Sequence, residues 1–336
     1  MIYLISQSCH VFVRLLLSTV LMLLFFTSAT VQALELQRYP DIKTFIHTFA
    51  KRNHYSEPVL QRLFSRVVLQ PKLVAAMQKP AEGMAWSRYR KIFVNADNIK
   101  RGQRFIVKYK KTLRQAEKKY GVDRYVIAAI IGVETRFGRH LGKHRTLDAL
   151  TTLAFLYPRR SKFFRAELKH FLLLTRRQKL DPMLLRGSYA GAIGIPQFMP
   201  SSYRQYAVDL DGDGKRNLMQ FADAMGSVAN YLKVHGWQQG ENISVSVVGS
   251  VPTTAKKWLA RKLKTVTTIA KLQQSGVQSA KSEHSDRLAG LIELTSGADK
   301  EYRIGFENFF VITRYNHSWL YAAAVSDLAN ALHSHQ

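Results

Sequence analysis

Residues 125–138 read YVIAAIIGVETRFG. Counting back from Glu134 along one helical face reaches Ile131, Ile130, Ile127 and Val126, so the spacing predicts a helix whose apolar stripe carries a carboxyl group. Asp123 can cap the start of this helix and Gly138 can stop it, which places Glu134 in the last turn. Burial disfavours the charged form of an acid, and a helix C-terminus adds partial negative charge, so both raise its pKa. A carboxyl group that stays protonated near neutral pH is a candidate general acid. The competing role is structural, a salt bridge to Arg136 or Arg139.

Around this segment the chain is 336 residues long, 46% hydrophobic and 22% charged, enough for a large core and more than one domain and unlike a disordered tail. Residues 1–33 read as a secretory signal peptide: Arg14 is the only charge, Leu15 to Phe26 is a short apolar run, and Val31-Gln32-Ala33 fits a cleavage site. An uncleaved membrane anchor is the alternative, although the run is short for a span. The single cysteine, Cys9, precedes the apolar run, so no lipid-attachment cysteine is visible, and the mature chain would have neither a disulfide nor a cysteine-based metal site.

The formal net charge is +27, from 50 basic and 23 acidic residues. Such a surface favours polyanions: nucleic acid, an anionic membrane or an acidic cell-wall polymer. Export argues against nucleic acid. The runs Lys108 to Arg114 and Lys118 to Tyr120 are also what a plain solvated helical face looks like.

The periodicity predicts a mainly α (α+β) protein. An N-terminal helical domain spans 34–120, with turn signals at Pro58, Pro71 and Pro80. A helical core spans 121–240, with helices over 146–155, 163–180 and 222–237 and a Gly/Ala-rich stretch over 189–194. A small basic β-containing lobe covers 241–310, and 311–336 return to the core. Candidate strands are 243–251, 265–269, 288–295 and 309–315, and the last helix is 319–332.

A second chemical signal is Asp209-Leu-Asp211-Gly-Asp213-Gly214-Lys215, with acids alternating before a glycine as in the Ca²⁺-binding loop of an EF-hand. Lys215 would give its backbone carbonyl. The closing glutamate of that pattern is replaced by Gln220, and Asp223 is the next acid able to close the site. The all-oxygen set suits Ca²⁺ better than Zn²⁺. The alternative is an Asp/Gly turn that holds no metal.

Five segments together resemble the lytic murein transglycosylase B family, in its membrane-bound and soluble forms: GVETRFGR (132–139), TLDALTTLAFLYPRR (146–160), GSYAGAIGIPQFMPSSYRQYAVDLDGDG (187–214), GSVANYLKVHGW (226–237) and ITRYNHS (312–318). The resemblance implies a lysozyme-like catalytic core. It implies cleavage of the β-1,4 bond between N-acetylmuramic acid and N-acetylglucosamine in peptidoglycan, leaving a 1,6-anhydromuramoyl end. In that scheme Glu134 is first acid and then base. It further implies sugar-contacting polar groups at Ser188, Gln197 and Asn316, and a cleft lined by Tyr89, Phe163, Tyr231, Tyr315 and Tyr321. Core packing is the competing role for the aromatics, most of all Tyr89 and Phe163, and helix capping for Ser188.

The residues themselves agree with the scheme. Ordinary glycosidases flank the bond with two carboxylates; here the conspicuous other acids belong to the 209–213 loop, and Asp148 reads as structural. Ile195 lies in a stretch that varies within the family, which leaves subsite detail open there. Without a lipid-attachment cysteine the expectation is a soluble periplasmic enzyme, held to the wall by charge, with cell-wall synthesis or division proteins as conceivable partners. A non-catalytic peptidoglycan-binding protein on the same fold is the alternative.

Overall fold

The computed structural model describes residues 35–78, 83–260 and 263–334, so the expected signal peptide and Cys9 lie outside the described residues. The chain divides into two compact units, one ending at Val68 and one beginning at Leu69. In the first, α1 (Pro40–Asn53) starts on a proline and ends on His54 in the left-handed conformation. It buries Ile42, Phe45, Ile46, Phe49 and Ala50, and α2 (Glu57–Ser65) sets Phe64 against Phe45, ring centroids 6.0 Å apart.

The second unit begins with α3 (Lys72–Met77), α4 (Trp86–Phe93), α5 (Ala96–Lys108) and α6 (Lys110–Tyr120). The expected 34–120 domain is thus divided at 68/69, and α5 and α6 pack directly on the helix that carries Glu134. That helix, α7 (Arg124–Thr135), is capped by Asp123, whose Oδ1 accepts the amides of Tyr125 (2.7 Å) and Val126 (3.3 Å). Every residue from Tyr125 to Val133 is buried. A helix apolar on all sides belongs at the centre, and α7 is enclosed by α5, α6 and the helices over 221–234 and 319–333.

Next come β1 (His144–Arg145), α8 (Thr146–Leu156) and α9 (Ser161–Arg177), with α8 and α9 packed on each other. The strand β2 (Arg186–Gly187) pairs antiparallel with β1, and α10 (Pro200–Tyr206) and α11 (Phe221–Val234) complete the core. The β lobe is made of β3 (Ser244–Val248), β4 (Thr267–Thr268), α12 (Ile269–Gln274), β5 (Gln278–Ser279), β6 (Leu288–Ser296) and β7 (Asp299–Gly305). Its antiparallel sheet has the order β4-β6-β7-β3-β5 over a core that includes Val245, Ile269, Leu272, Leu291, Ile304 and Phe306.

One expected strand is corrected. Residues 309–315 form most of a helix, α13 (Glu307–Tyr315), which leads into α14 (Trp319–His333). Phe309 to Thr313 are all buried, and a continuous apolar run carries neither a period of two nor one of 3.6. Packing against α11 and α14 decides for the helix. The β lobe is tied to the helices by Arg303, buried between Glu301 (2.6 Å) and Asp327 of α14 (2.6 Å), and by Trp86, whose Nε1 donates to Glu301 (2.8 Å).

Candidate active site

Glu134 lies in the last turn of α7, partly buried, and Tyr321 of α14 donates its phenol to Oε1 at 2.6 Å. Poor solvation raises the carboxyl group from 4.5 to about 7, and the Tyr321 hydrogen bond only partly offsets this. The salt-bridge alternative fails: Arg136 and Arg139 point to solvent, and among the described residues Glu134 is in no salt bridge.

The backbone turns in an unusual way just past Glu134. Arg136, Phe137 and Gly138 are consecutively left-handed, with φ of 49°, 59° and 84°, although two of them are not glycine. The surroundings enforce this turn. The Thr135 hydroxyl bridges the carbonyls of Ile131 and Ile195, both at 3.2 Å, and accepts the Gly138 amide at 3.0 Å. The Phe137 ring fills a slot that exists because residue 132 is glycine; a Cβ there would stand 2.7 Å from the ring and 3.1 Å from Leu328. Gly132→Ala is therefore expected to lower stability by about 1–3 kcal/mol, the usual range for overpacking, read as a lower denaturant midpoint. An unchanged midpoint would show that the slot yields freely.

The carbonyl that Thr135 reaches belongs to the Gly-rich stretch, which folds as a tight loop over 187–198. Ser188 Oγ accepts the amides of Ala190 (3.3 Å) and Ala192 (3.0 Å), closing one end. Gln197 is left-handed (φ 51°), and its Nε2 donates to Leu141 O (3.2 Å) and Gly194 O (2.7 Å). Tyr315 donates to Pro196 O (2.6 Å), and Tyr231 donates to Arg314 O (2.6 Å).

Tyr231, Tyr315 and Tyr321 are gathered into one aromatic cluster beside Glu134. Tyr231 and Tyr315 meet edge to face at 4.9 Å, and Tyr315 stacks on Tyr321 at 6.3 Å. Burial, with the Glu134 charge added, pushes Tyr315 and Tyr321 well above the ordinary phenol range, so both are neutral donors. Phe198, not singled out from sequence, touches both Tyr231 and Tyr315 at 5.6 Å; its place directly after Gln197 was the available signal. His235, also missed, stacks on Tyr231 at 4.1 Å.

The remaining candidates are placed less centrally. Tyr89 on α4 is buried, packs on Phe93 at 5.2 Å, and is near enough to Tyr321 to raise its pKa. Phe163 on α9 is 37% exposed, with the Arg160 guanidinium 4.2 Å over its ring. Asn316 is exposed just past α13. Asp148 is buried in an ion pair with Arg145 (2.7 Å), in keeping with a structural role.

In the acidic loop, carboxylate oxygens of Asp209, Asp211 and Asp223 converge to within 4.8 Å of one another. Asp213 does not join them; its Oδ1 accepts the amide of the exposed Lys215 at 2.8 Å. Asp223 is buried at the start of α11 and accepts the amides of Leu210 (2.8 Å) and Asn217 (2.6 Å). Burial raises its pKa, those hydrogen bonds lower it, and the charges of Asp211 and Asp209 raise it again, with a net upward shift. A buried carboxylate facing two like charges, all through oxygen, fits a hard divalent cation. The loop is also wired to the site: Leu218 O accepts the Ile195 amide at 2.9 Å, and Ile195 O accepts from Thr135, next to Glu134.

A lysozyme-like helical core that sets a poorly solvated carboxyl in the last turn of a helix, hydrogen-bonded to a tyrosine and beside a cluster of tyrosines, defines a class: glycan-cleaving enzymes. The Transglycosylase SLT domain family matches residues 37–330. The chain belongs to that family, and its activity class is lytic murein transglycosylase. It is 42% identical over 303 residues to membrane-bound lytic murein transglycosylase B of Escherichia coli K12, covering 87% of this chain and 82% of that protein. The solved structure of the E. coli lytic transglycosylase Slt35 in complex with calcium superposes with a TM-score of 0.82 at 40% identity, over 91% of this chain and 97% of that one. SltB3 of Pseudomonas aeruginosa in complex with NAG-anhNAM-pentapeptide matches with a TM-score of 0.78 at 28% identity, over 88% of this chain and 79% of that one.

Proposed function

We propose that Glu134 performs both proton transfers of a lytic cleavage of peptidoglycan. Protonated at rest, it gives its proton to the glycosidic oxygen between N-acetylmuramic acid and N-acetylglucosamine. As carboxylate it then takes the proton of the muramoyl C6 hydroxyl while that oxygen bonds to C1, leaving a 1,6-anhydromuramoyl end and a restored acid. The observation that carries this reading is the carboxyl group held at about 7 by burial, with a neutral tyrosine rather than a second acid as its partner. Among the described residues no other carboxylate is bonded to Glu134 or shifts its pKa, so the substrate's own hydroxyl is the fitting nucleophile. The complex of SltB3 with an anhydro-muramoyl ligand accords with such a product.

Ser188, Gln197 and Asn316 contact the sugars in this reading, and Tyr89, Phe163, Tyr231, Tyr315 and Tyr321 line the cleft. Both Gln197 amide hydrogens are engaged by carbonyls, which leaves Oε1 to accept from an N-acetyl N–H. Ser188 Oγ already accepts two amides and keeps its hydrogen to donate. Mass analysis of the products from purified sacculi tests the reaction: anhydro ends support it, and reducing ends would make the enzyme a muramidase.

Asp209, Asp211 and Asp223 would hold Ca²⁺, whose contribution is structural, offsetting the mutual repulsion of the acids and stiffening the loop. Chelation is expected to lower the melting temperature by the equivalent of about 2.7 kcal/mol when free Ca²⁺ had stood at a hundred times its dissociation constant. An unchanged transition would make the loop a plain Asp/Gly turn.

Among the described residues no helix is long and apolar enough to cross a membrane. Export through residues 1–33, a periplasmic location and retention on the wall by charge complete the proposal; its net charge of +27 predicts binding to sacculi that weakens with salt.

A further inference from the structure

The reaction leaves one large feature of the molecule unused. Residues 100–119 contain nine lysines and arginines and a single acid, Glu117, which is paired with Arg124. They lie on α5 and α6, which run on almost without a break: the Tyr109 amide bonds to Phe105 O and the Leu113 amide to Tyr109 O, both at 2.9 Å. The inward face buries Asn98, Gly102, Phe105, Ile106, Leu113 and Ala116. On the opposite face Lys100, Arg104, Lys108, Lys111, Arg114 and Lys118 recur every three or four residues, all exposed. They form a stripe about 27 Å long at 1.5 Å per residue. Among the described residues none of the six is in a salt bridge.

We propose that this face of α5 and α6 is a docking surface for an anionic phospholipid bilayer. The stripe is the outer ridge of a rod, and a ridge meets a plane along its whole length. A single glycan strand, by contrast, gains most of its contact in a concave cleft. Four of the six cations are lysines, compact point charges suited to a diffuse layer of headgroups rather than to bidentate pairing. Val107, 72% exposed, stands in the middle of the stripe and is the kind of aliphatic group that a headgroup region accepts. Docking of this kind would hold the enzyme at a membrane surface without a span or an acyl chain.

The test is flotation of the purified protein with vesicles of phosphatidylglycerol and phosphatidylethanolamine, against vesicles of phosphatidylcholine alone. Each cation near such a surface contributes about 1 kcal/mol, or about fivefold in binding, so Arg104→Glu/Lys111→Glu/Lys118→Glu should weaken binding by about 100-fold or more. A control of equal charge change, Lys256→Glu/Lys257→Glu/Lys271→Glu on the β lobe, should weaken it far less. Circular dichroism and unchanged cleavage of soluble glycan fragments confirm that the exposed substitutions leave the fold intact. Equal losses in the two variants would reduce the effect to net charge and overturn the proposal. So would binding of the wild type to neutral vesicles as tightly as to anionic ones. A stripe variant that loses binding to sacculi but keeps binding to vesicles would assign the surface to the wall polymer instead.

Discussion

Glu134→Gln is expected to reduce the release of anhydro-muropeptides from purified sacculi by about 10³-fold or more, because one substitution removes both the acid and the base of the reaction. Glutamine has the size of the protonated acid, and its carbonyl can accept the Tyr321 hydroxyl now bound at 2.6 Å. The aromatic cluster and the left-handed turn at 136–138 should therefore persist, and circular dichroism and binding to sacculi should match the wild type. A substitution that merely unfolded the site would lose binding as well. Full activity in the folded variant would remove Glu134 from the reaction.

The same variant should be more resistant to unfolding than the wild type in alkaline buffer, and equal to it in acid. The carboxyl group is raised from 4.5 in the unfolded chain to about 7 in the folded one. Below the lower value both states are protonated and the shift contributes in full. As pH rises the unfolded state ionises first, and the contribution is lost progressively until the folded group ionises too. The interval corresponds to about 3 kcal/mol at 1.36 kcal/mol per pH unit, an upper figure because Glu134 keeps some contact with water. Denaturant unfolding of both proteins at pH 4, 6 and 8 measures it. Parallel curves across that range would mean a carboxyl group with an ordinary pKa. Activity should fall later, as pH rises through about 7 where the folded carboxyl group ionises, since the first proton transfer needs the acid form.

Much of the site was legible in a single chain because it is built from local patterns. The apolar stripe of 126–131, the Asp123 cap and the position of Glu134 in the last turn all follow from a period of 3.6, and the structure repeats them. The alternation of acids in 209–213 likewise brought out Asp209 and Asp211, with Asp223 closing the set. Where local pattern was ambiguous, it misled: 309–315 is rich in β-branched and aromatic residues, yet it is helical because α11 and α14 pack against it and Phe309 to Thr313 are buried. Local spacing also could not show that Asp213 turns to the Lys215 amide rather than inward, since the glycines around it leave the turn free to choose.

The amino-acid order by itself places a carboxyl group on an apolar helical face and offers it no second acid. Helix periodicity and composition are properties of neighbouring residues, and they suffice for that. The company the acid keeps came from the folded chain alone. Tyr321 stands 187 positions further on, the bond from Thr135 to Ile195 spans 60, and the slot for Phe137 is made by a glycine five residues before it. Contacts at the longer separations depend on how whole helices pack, and it is that packing that strips water from Glu134 and so sets its proton affinity.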